Sequence, residues 1–295
     1  MVPPEWTRAV KAKNDQFLLP EGKRVDLRKW PTRIRPLYGS HPDYEAAIGT
    51  CLVRLDERQQ QFYRRGDRAL LLVFQGMDTS GKDGVIRHVL SGINPQGCRV
   101  TSFKAPSTVE LRHDFLWRSA CALPERGQIG VFNRSYYEDV VVPRVHPQIL
   151  APQHQHPNGR LWKDRYRSIN AFEQHLCANG TAIVKFFLHL SKDEQRKRLL
   201  ARIDEPSKNW KIEDSDVTER GFWKDYMSAY GQGLAATSKK HAPWHIVPAD
   251  DKDNARLIVA RILLRTMERL DLRMPSTPPD RARELGRLRR RLSKG

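Results

Sequence analysis

The 295-residue chain is long enough for one large domain or two small ones, and its 39% hydrophobic residues can supply a buried core. Fifty-two Lys and Arg against 34 Asp and Glu leave a net charge of +18 and a pI near 10. That surface suits a polyanion (nucleic acid, acidic lipid headgroups or a phosphate chain), while Cys51, Cys98, Cys121 and Cys177, scattered without a C-x-x-C pair, argue against a zinc site or a disulfide framework.

Residues 1–40 are basic and dotted with proline ("KRVDLRKWPTRIRPLYGS") and read as an extended arm on the main body. From Asp43 to Arg65, Tyr44, Ile48, Leu52, Leu55 and Phe62 recur at near-helical spacing. "ALLLVFQ" is a continuous apolar run of the kind a strand buried on both faces shows. Further on, "CRVTSF" reads as a strand and "STVELRHDFLWRSAC" as one helix opened by the capping-box pattern Ser107-x-x-Glu110. "IGVFN" is a strand, "LWKDRYRSINAFEQHLCANG" a helix stopped at Gly180, and "TAIVKFFLHL" a strand. "SKDEQRKRLLARI" and "TERGFWKDYMSAYGQGLAATS" are helical, "WHIVPA" is a last short strand, and "NARLIVARILLRTMERL" a last helix. Strands alternating with helices predict an α/β fold with a parallel sheet of about five strands. One domain is expected over 41–272, with the charged helices of about 191–240 as a flap, and 273–295 as a mobile basic tail.

Between the first strand and the helix after it stands "GMDTSGKDG", which matches the phosphate-loop pattern G-x-x-x-x-G-K up to Lys82 and then places Asp83 where Ser or Thr is usual. In a strand–loop–helix unit the loop N–H groups and the helix N-terminus converge on one point and make an anion cradle. The cradle here comprises Gly76, Met77, Thr79, Ser80, Gly81, Lys82 and Asp83. Lacking the hydroxyl, the loop has Asp78 as its candidate ligand for Mg2+, while Asp83 reads as a first-turn acid favoured by the helix dipole.

"GMDTSGKDGVIRHVLSGINPQG", "SFKAPS", "HDFLWR", "FNRSYYEDVVVPRVH" and "ARIDEPSKNWK" together resemble the polyphosphate kinase 2 family over roughly residues 20 to 272. The resemblance implies a P-loop kinase-like three-layer sandwich with a helical lid, as in thymidylate kinase. It also implies magnesium-dependent phosphoryl transfer between inorganic polyphosphate and nucleotides. In this family the strand-end motif commonly reads F-D-R-S with a metal-binding Asp; here Asn133 stands there, followed by Arg134, Ser135 and Glu138. That variant is similar to class III, whose members phosphorylate AMP and ADP, and it leaves Asp78 the better metal ligand. Carried over residue by residue, Asp78, Lys82, Arg118, Arg134 and Glu138 are the expected catalytic groups. Lys104, Arg118, Asn133, Arg134 and Glu138 face the nucleotide, and Arg202 and Lys208 join the loop in holding polyphosphate.

The lid also carries Arg196, Lys197, Arg198 and Lys211, cations that a flap closing on a polyanion needs but that a solvated helix face also shows. Trp210 and Trp223 read as lid packing, and "HPQILAPQHQHPNGR", with His146, His154 and His156, as an exposed loop without metal-ligand spacing. An ATP-dependent nucleotide kinase would normally keep Ser or Thr after Lys82 and need no such basic surface. A nucleic-acid binder with a degenerate phosphate loop lacks any recognisable reading motif. Neither a signal-peptide core nor an apolar run near the roughly 20 residues of a membrane span occurs, so a cytoplasmic protein is expected, with a homo-oligomer (dimer or tetramer) as its assembly.

Overall fold

The structure is a computed structural model that describes residues 16–153, 155–270, 272 and 279–293. The chain runs α1 (His41–Arg65), β1 (Ala69–Gln75), α2 (Lys82–Val89), β2 (Cys98–Ser102), α3 (Trp117–Ala120) and β3 (Ile129–Asn133). It continues with α4 (Glu138–Val145), α5 (Gly159–Ala178), β4 (Thr181–His189), α6 (Lys192–Asp204), α7 (Asp214–Gly221) and α8 (Trp223–Thr237). Last come β5 (Trp244–Pro248), α9 (Lys252–Arg269) and α10 (Pro279–Leu292). The five strands form one parallel sheet in the order β2-β3-β1-β4-β5.

The period-2 alternation of the central strand explains the three layers. Leu70, Leu72 and Phe74 of β1 join the core under α1, α2 and α9, whereas Leu71 and Val73 join the core under α4, α5 and α8. Because both faces are covered, β1 is buried throughout, as its unbroken apolar run predicts. The described part of the arm lies along β5: Leu19 N–H donates to Trp244 O (2.8 Å) and Ile246 N–H to Phe17 O (2.8 Å), which covers that sheet edge. No helix among the described residues is long and apolar enough to cross a membrane.

Two local expectations are corrected, and two further segments form helices that the sequence pattern does not specify. The capping box at Ser107 and Glu110 forms (2.6 and 3.3 Å), but it opens only a 3₁₀ turn, Glu110–Arg112. Asp114 then accepts from Leu116 N–H (2.9 Å) and restarts the chain as the short α3. The segment expected as one helix over 218–238 breaks at Phe222, and α8 packs Tyr226, Tyr230 and Leu234 into the core, so the flap ends near residue 221. The strand-end motif continues into α4, a helix that the hydrophobic pattern does not announce. The described tail is the helix α10, with Leu285, Leu288 and Leu292 exposed. Residues 1–15 and 273–278 of the expected arm and tail, and His154, lie outside the described residues.

Candidate active site

The loop after β1 folds tightly because its glycines allow it. A Cβ on Gly76 (φ +153°) would stand 2.8 Å from Leu188 O and from Ser80 Oγ, and Gly81 takes φ +99° as it opens α2. Thr79 (φ 62°) and Arg134 (φ 63°) adopt the left-handed region without being glycine, one in the loop and one just past β3. Such backbone concentrates at ligand sites, where the surrounding contacts enforce it. Here Arg134 N–H donates to Phe74 O (2.9 Å), tying the strand-end motif to β1.

Lys82 is buried inside this loop, donating from Nζ to Gly76 O (2.8 Å) and Met77 O (3.1 Å). Burial, reinforced by the Arg134 charge and opposed by Asp78, Glu138 and Asp83, lowers its amine to about 8. Over it, Arg134 pairs with both Asp78 Oδ1 and Glu138 Oε2 (3.0 Å for the latter). Glu138 first and then Asp78 raise the guanidinium pKa above its ordinary value, against burial. The Asn133 amide donates to Asp83 Oδ1 and, at 3.4 Å, to Ser102 Oγ. Asp83 therefore sits in the first turn of α2, as its position in the motif predicts, and its carboxylate is held by a neutral partner.

An open cavity of about 830 Å3 lies in front of these groups. Asp78, Thr79, Gly81, Lys82, Asp83, Lys104, Asn133 and Arg134 line its body side, and Lys197, Arg202 and Lys208 its flap side. With Arg198 and Lys252 the lining holds eight cations against four carboxylates, which gives it the sign a polyphosphate needs. The flap cations have acid partners: Arg202 NH1 lies 3.6 Å from Asp216 Oδ2, and Lys208 pairs with Glu205.

Not every expected residue reaches the cavity. Arg118 is 9% exposed and lies behind the wall, donating to Lys104 O (2.8 Å), 3.4 Å from Asp139 Oδ2 and over the Phe103 ring. It shapes the Lys104 loop. Burial, partly offset by Arg118 and Arg165, raises Asp139 to about 6. Arg198, grouped by sequence with the flap cations, is a clamp: NH1 donates to Thr79 O (3.0 Å) and Ser80 O (3.2 Å), and NH2 to Ala249 O (2.6 Å). Arg196 is exposed and outside the lining, and the Lys211 side chain lies outside the described residues. Trp210 is 78% exposed, contrary to the packing expected of it, while Trp223 packs against the core. His146 is half-buried, its Nε2 2.9 Å from Glu219 Oε2, so it bridges α4 to the flap where a loop was expected; His156 is exposed.

Sequence reasoning missed Lys252, the first residue of α9. The available signal was its place just after the carboxyl end of β5, where ligands of open α/β sheets gather. Among the described residues no cluster of three or more His, Cys, Asp or Glu is arranged to hold a metal. Asp78 fits a cation that takes one or two carboxylates and fills its remaining positions with water and phosphate oxygens.

Residues 38–275 match the family profile "Polyphosphate kinase 2". The chain belongs to the polyphosphate kinase 2 family. Over 290 residues it is 58% identical to the ADP-polyphosphate phosphotransferase of Rhodopseudomonas palustris, covering 97% of this chain and 100% of that one. It is 44% identical over 266 residues to the AMP/ADP-polyphosphate phosphotransferase of Meiothermus ruber, covering 90% and 96%. The crystal structure of polyphosphate kinase 2 from Arthrobacter aurescens TC1 superposes with a TM-score of 0.85 at 40% identity, covering 95% and 97%. In this polyphosphate kinase 2 family member, the expected P-loop kinase-like sandwich is thus the observed fold.

Proposed function

We propose that this protein transfers phosphoryl groups from inorganic polyphosphate to nucleoside mono- and diphosphates (AMP to ADP, ADP to ATP), reversibly and with Mg2+. The observation that carries the reading is the set of Lys82, Arg134 and Asp78 lining a strongly cationic cavity, with Glu138 pairing Arg134 from behind the lining. A terminal phosphate oxygen of the nucleotide attacks the end phosphorus of the chain. The bond to the bridging oxygen breaks, and polyphosphate leaves one unit shorter. Lys82 and Arg134 bear on the oxygens whose charge changes in that step, so positioning and electrostatics suffice and no covalent intermediate is needed. Magnesium, when bound, would neutralise charge on the phosphates, with Asp78 as its protein ligand. The neutral Asn133 beside Asp83 supports an acceptor pocket without a further carboxylate to repel a short nucleotide such as AMP.

The test is ATP formation from ADP, and ADP formation from AMP, with long-chain polyphosphate as the sole donor, with and without Mg2+. Both products should form, and only with the metal. Turnover with ATP as donor and none with polyphosphate would overturn the reading.

A further inference from the structure

The side chain of Gln75, the last residue of β1, connects the two halves of the site. The alternation that turns Leu71 and Val73 toward α4 turns Gln75 the same way, at the strand end beside the α4 N-terminus, and it is 1% exposed there. A buried primary amide needs its donor and acceptor sides matched to its neighbours. With its nitrogen toward Glu138, the amide donates to Oε1 at 2.8 Å and its oxygen accepts from Ser135 N–H (3.1 Å) and Oγ (3.2 Å). The reverse orientation would set the amide oxygen against the carboxylate.

Glu138 then has both oxygens engaged, Oε1 by Gln75 and Oε2 by Arg134, and Arg134 in turn reaches Asp78. Neither Gln75 nor Glu138 lines the cavity in front of the loop. We propose that Gln75 is a positioning residue for phosphoryl transfer: its N–H fixes the Glu138 carboxylate, which sets Arg134 over the transferring phosphate. The inference rests on the role of Arg134 and Glu138 in the proposed function.

Five variants test it: Gln75→Leu, Gln75→Glu, Glu138→Gln, the pair Gln75→Leu with Glu138→Gln, and the swap Gln75→Glu with Glu138→Gln. Gln75→Leu should lower kcat roughly tenfold to a hundredfold, the scale of a hydrogen bond to a charged group, with KM for polyphosphate unchanged. A variant that merely deformed the adjacent phosphate loop would raise KM instead. Gln75→Glu keeps the shape and the acceptor for Ser135 but sets a second carboxylate against Glu138 in place of the donor. It should lower kcat at least as far as Gln75→Leu, and it reads the same contact should the leucine variant fold poorly. Combining Gln75→Leu with Glu138→Gln should cost little beyond the larger single loss, because both break one interaction. The swap reverses donor and acceptor at unchanged net charge and should be more active than Gln75→Glu alone. Additive losses, or a swap no better than the product of its singles, would overturn the inference while leaving the site reading intact. Wild-type kcat in Glu138→Gln would overturn both.

Discussion

Two ion-pair clusters occupy the same side of the sheet, one in its dry interior and one at its carboxyl end. In the interior, Lys185 of β4 and Glu173 of α5 are both fully buried, 2.6 Å apart. Lys185 Nζ also donates to Tyr137 OH (2.9 Å) and Thr237 O (2.9 Å), and the Tyr136 and Tyr137 phenols donate to Glu173 Oε1 (2.8 Å each). At the carboxyl end, Arg134 and Asp78 are 37% and 35% exposed, so that pair is open to ligands from solvent. Tyr137 and Glu138 are consecutive, so one segment, "RSYYE", is rooted in the first cluster and delivers the second. A fully satisfied buried network holds a geometry, and a half-exposed one is free to trade partners during a reaction.

The largest expected effect belongs to the exchangeable cluster. Lys82→Ala should lower turnover by about a hundredfold to a thousandfold, the scale seen when one preorganised electrostatic donor is removed. It should leave thermal unfolding near that of the wild type, since a lysine desolvated in the loop contributes little to the fold. Steady-state kinetics and a melt on the same preparation decide it; a large fall in melting temperature would place Lys82 with the structural cluster.

The interior cluster should fail in the opposite way. Lys185→Met leaves the Glu173 carboxyl fully buried without its cation and should cost about 3–5 kcal/mol in urea unfolding. Adding Glu173→Leu should recover part of that loss, because the buried carboxyl is gone. A marginal effect of the single variant would show that the network is not what anchors the motif.

The contrast extends to pH. Burial lowers the Lys82 amine to about 8, and a bound anion must raise that value. A unit or more below pH 8 the amine is almost fully charged, so this group adds little pH dependence to polyphosphate affinity there. Above 8 binding must take up a proton, and affinity should fall by up to tenfold per pH unit until the bound-state value is reached. Calorimetry at pH 9 in buffers of different ionisation heat should find uptake approaching one proton, slight at pH 7 and absent in Lys82→Met.

Much of the fold is legible in the residues themselves. Unbroken apolar runs bounded by turn residues locate the central strands β3, β1 and β4, which are buried on both faces. The phosphate loop and Arg134 can be read because local sequence builds them. Arg118 cannot be placed this way, since whether a guanidinium faces a cavity or a carbonyl depends on packing between segments far apart in the chain. Arg198 escapes for the same reason: its partners, Thr79, Ser80 and Ala249, arrive from two other strand ends. The split of the expected 107–121 helix turns on one aspartate bonding its own backbone.

The smallest predicted effect sharpens the comparison most. In the interior, removing the acid from an ion pair should weaken the protein; in the flap it should strengthen ligand binding. Asp216 lies 3.6 Å from Arg202 across the cavity wall, and its Oδ2 also accepts Glu213 N–H (3.2 Å) in the capping box of α7. Asn can keep that cap through its carbonyl oxygen while removing one negative charge from beside Arg202, which lines the cavity. Asp216→Asn should therefore lower KM for long polyphosphate about twofold at low salt, the scale of a partly exposed ion pair, with kcat unchanged. The gain should shrink as salt rises, because the screened field and the counterions displaced from polyphosphate both depend on ionic strength. A raised KM would mean that Asp216 holds Arg202 in its working position, and that the flap pair is built like the interior one.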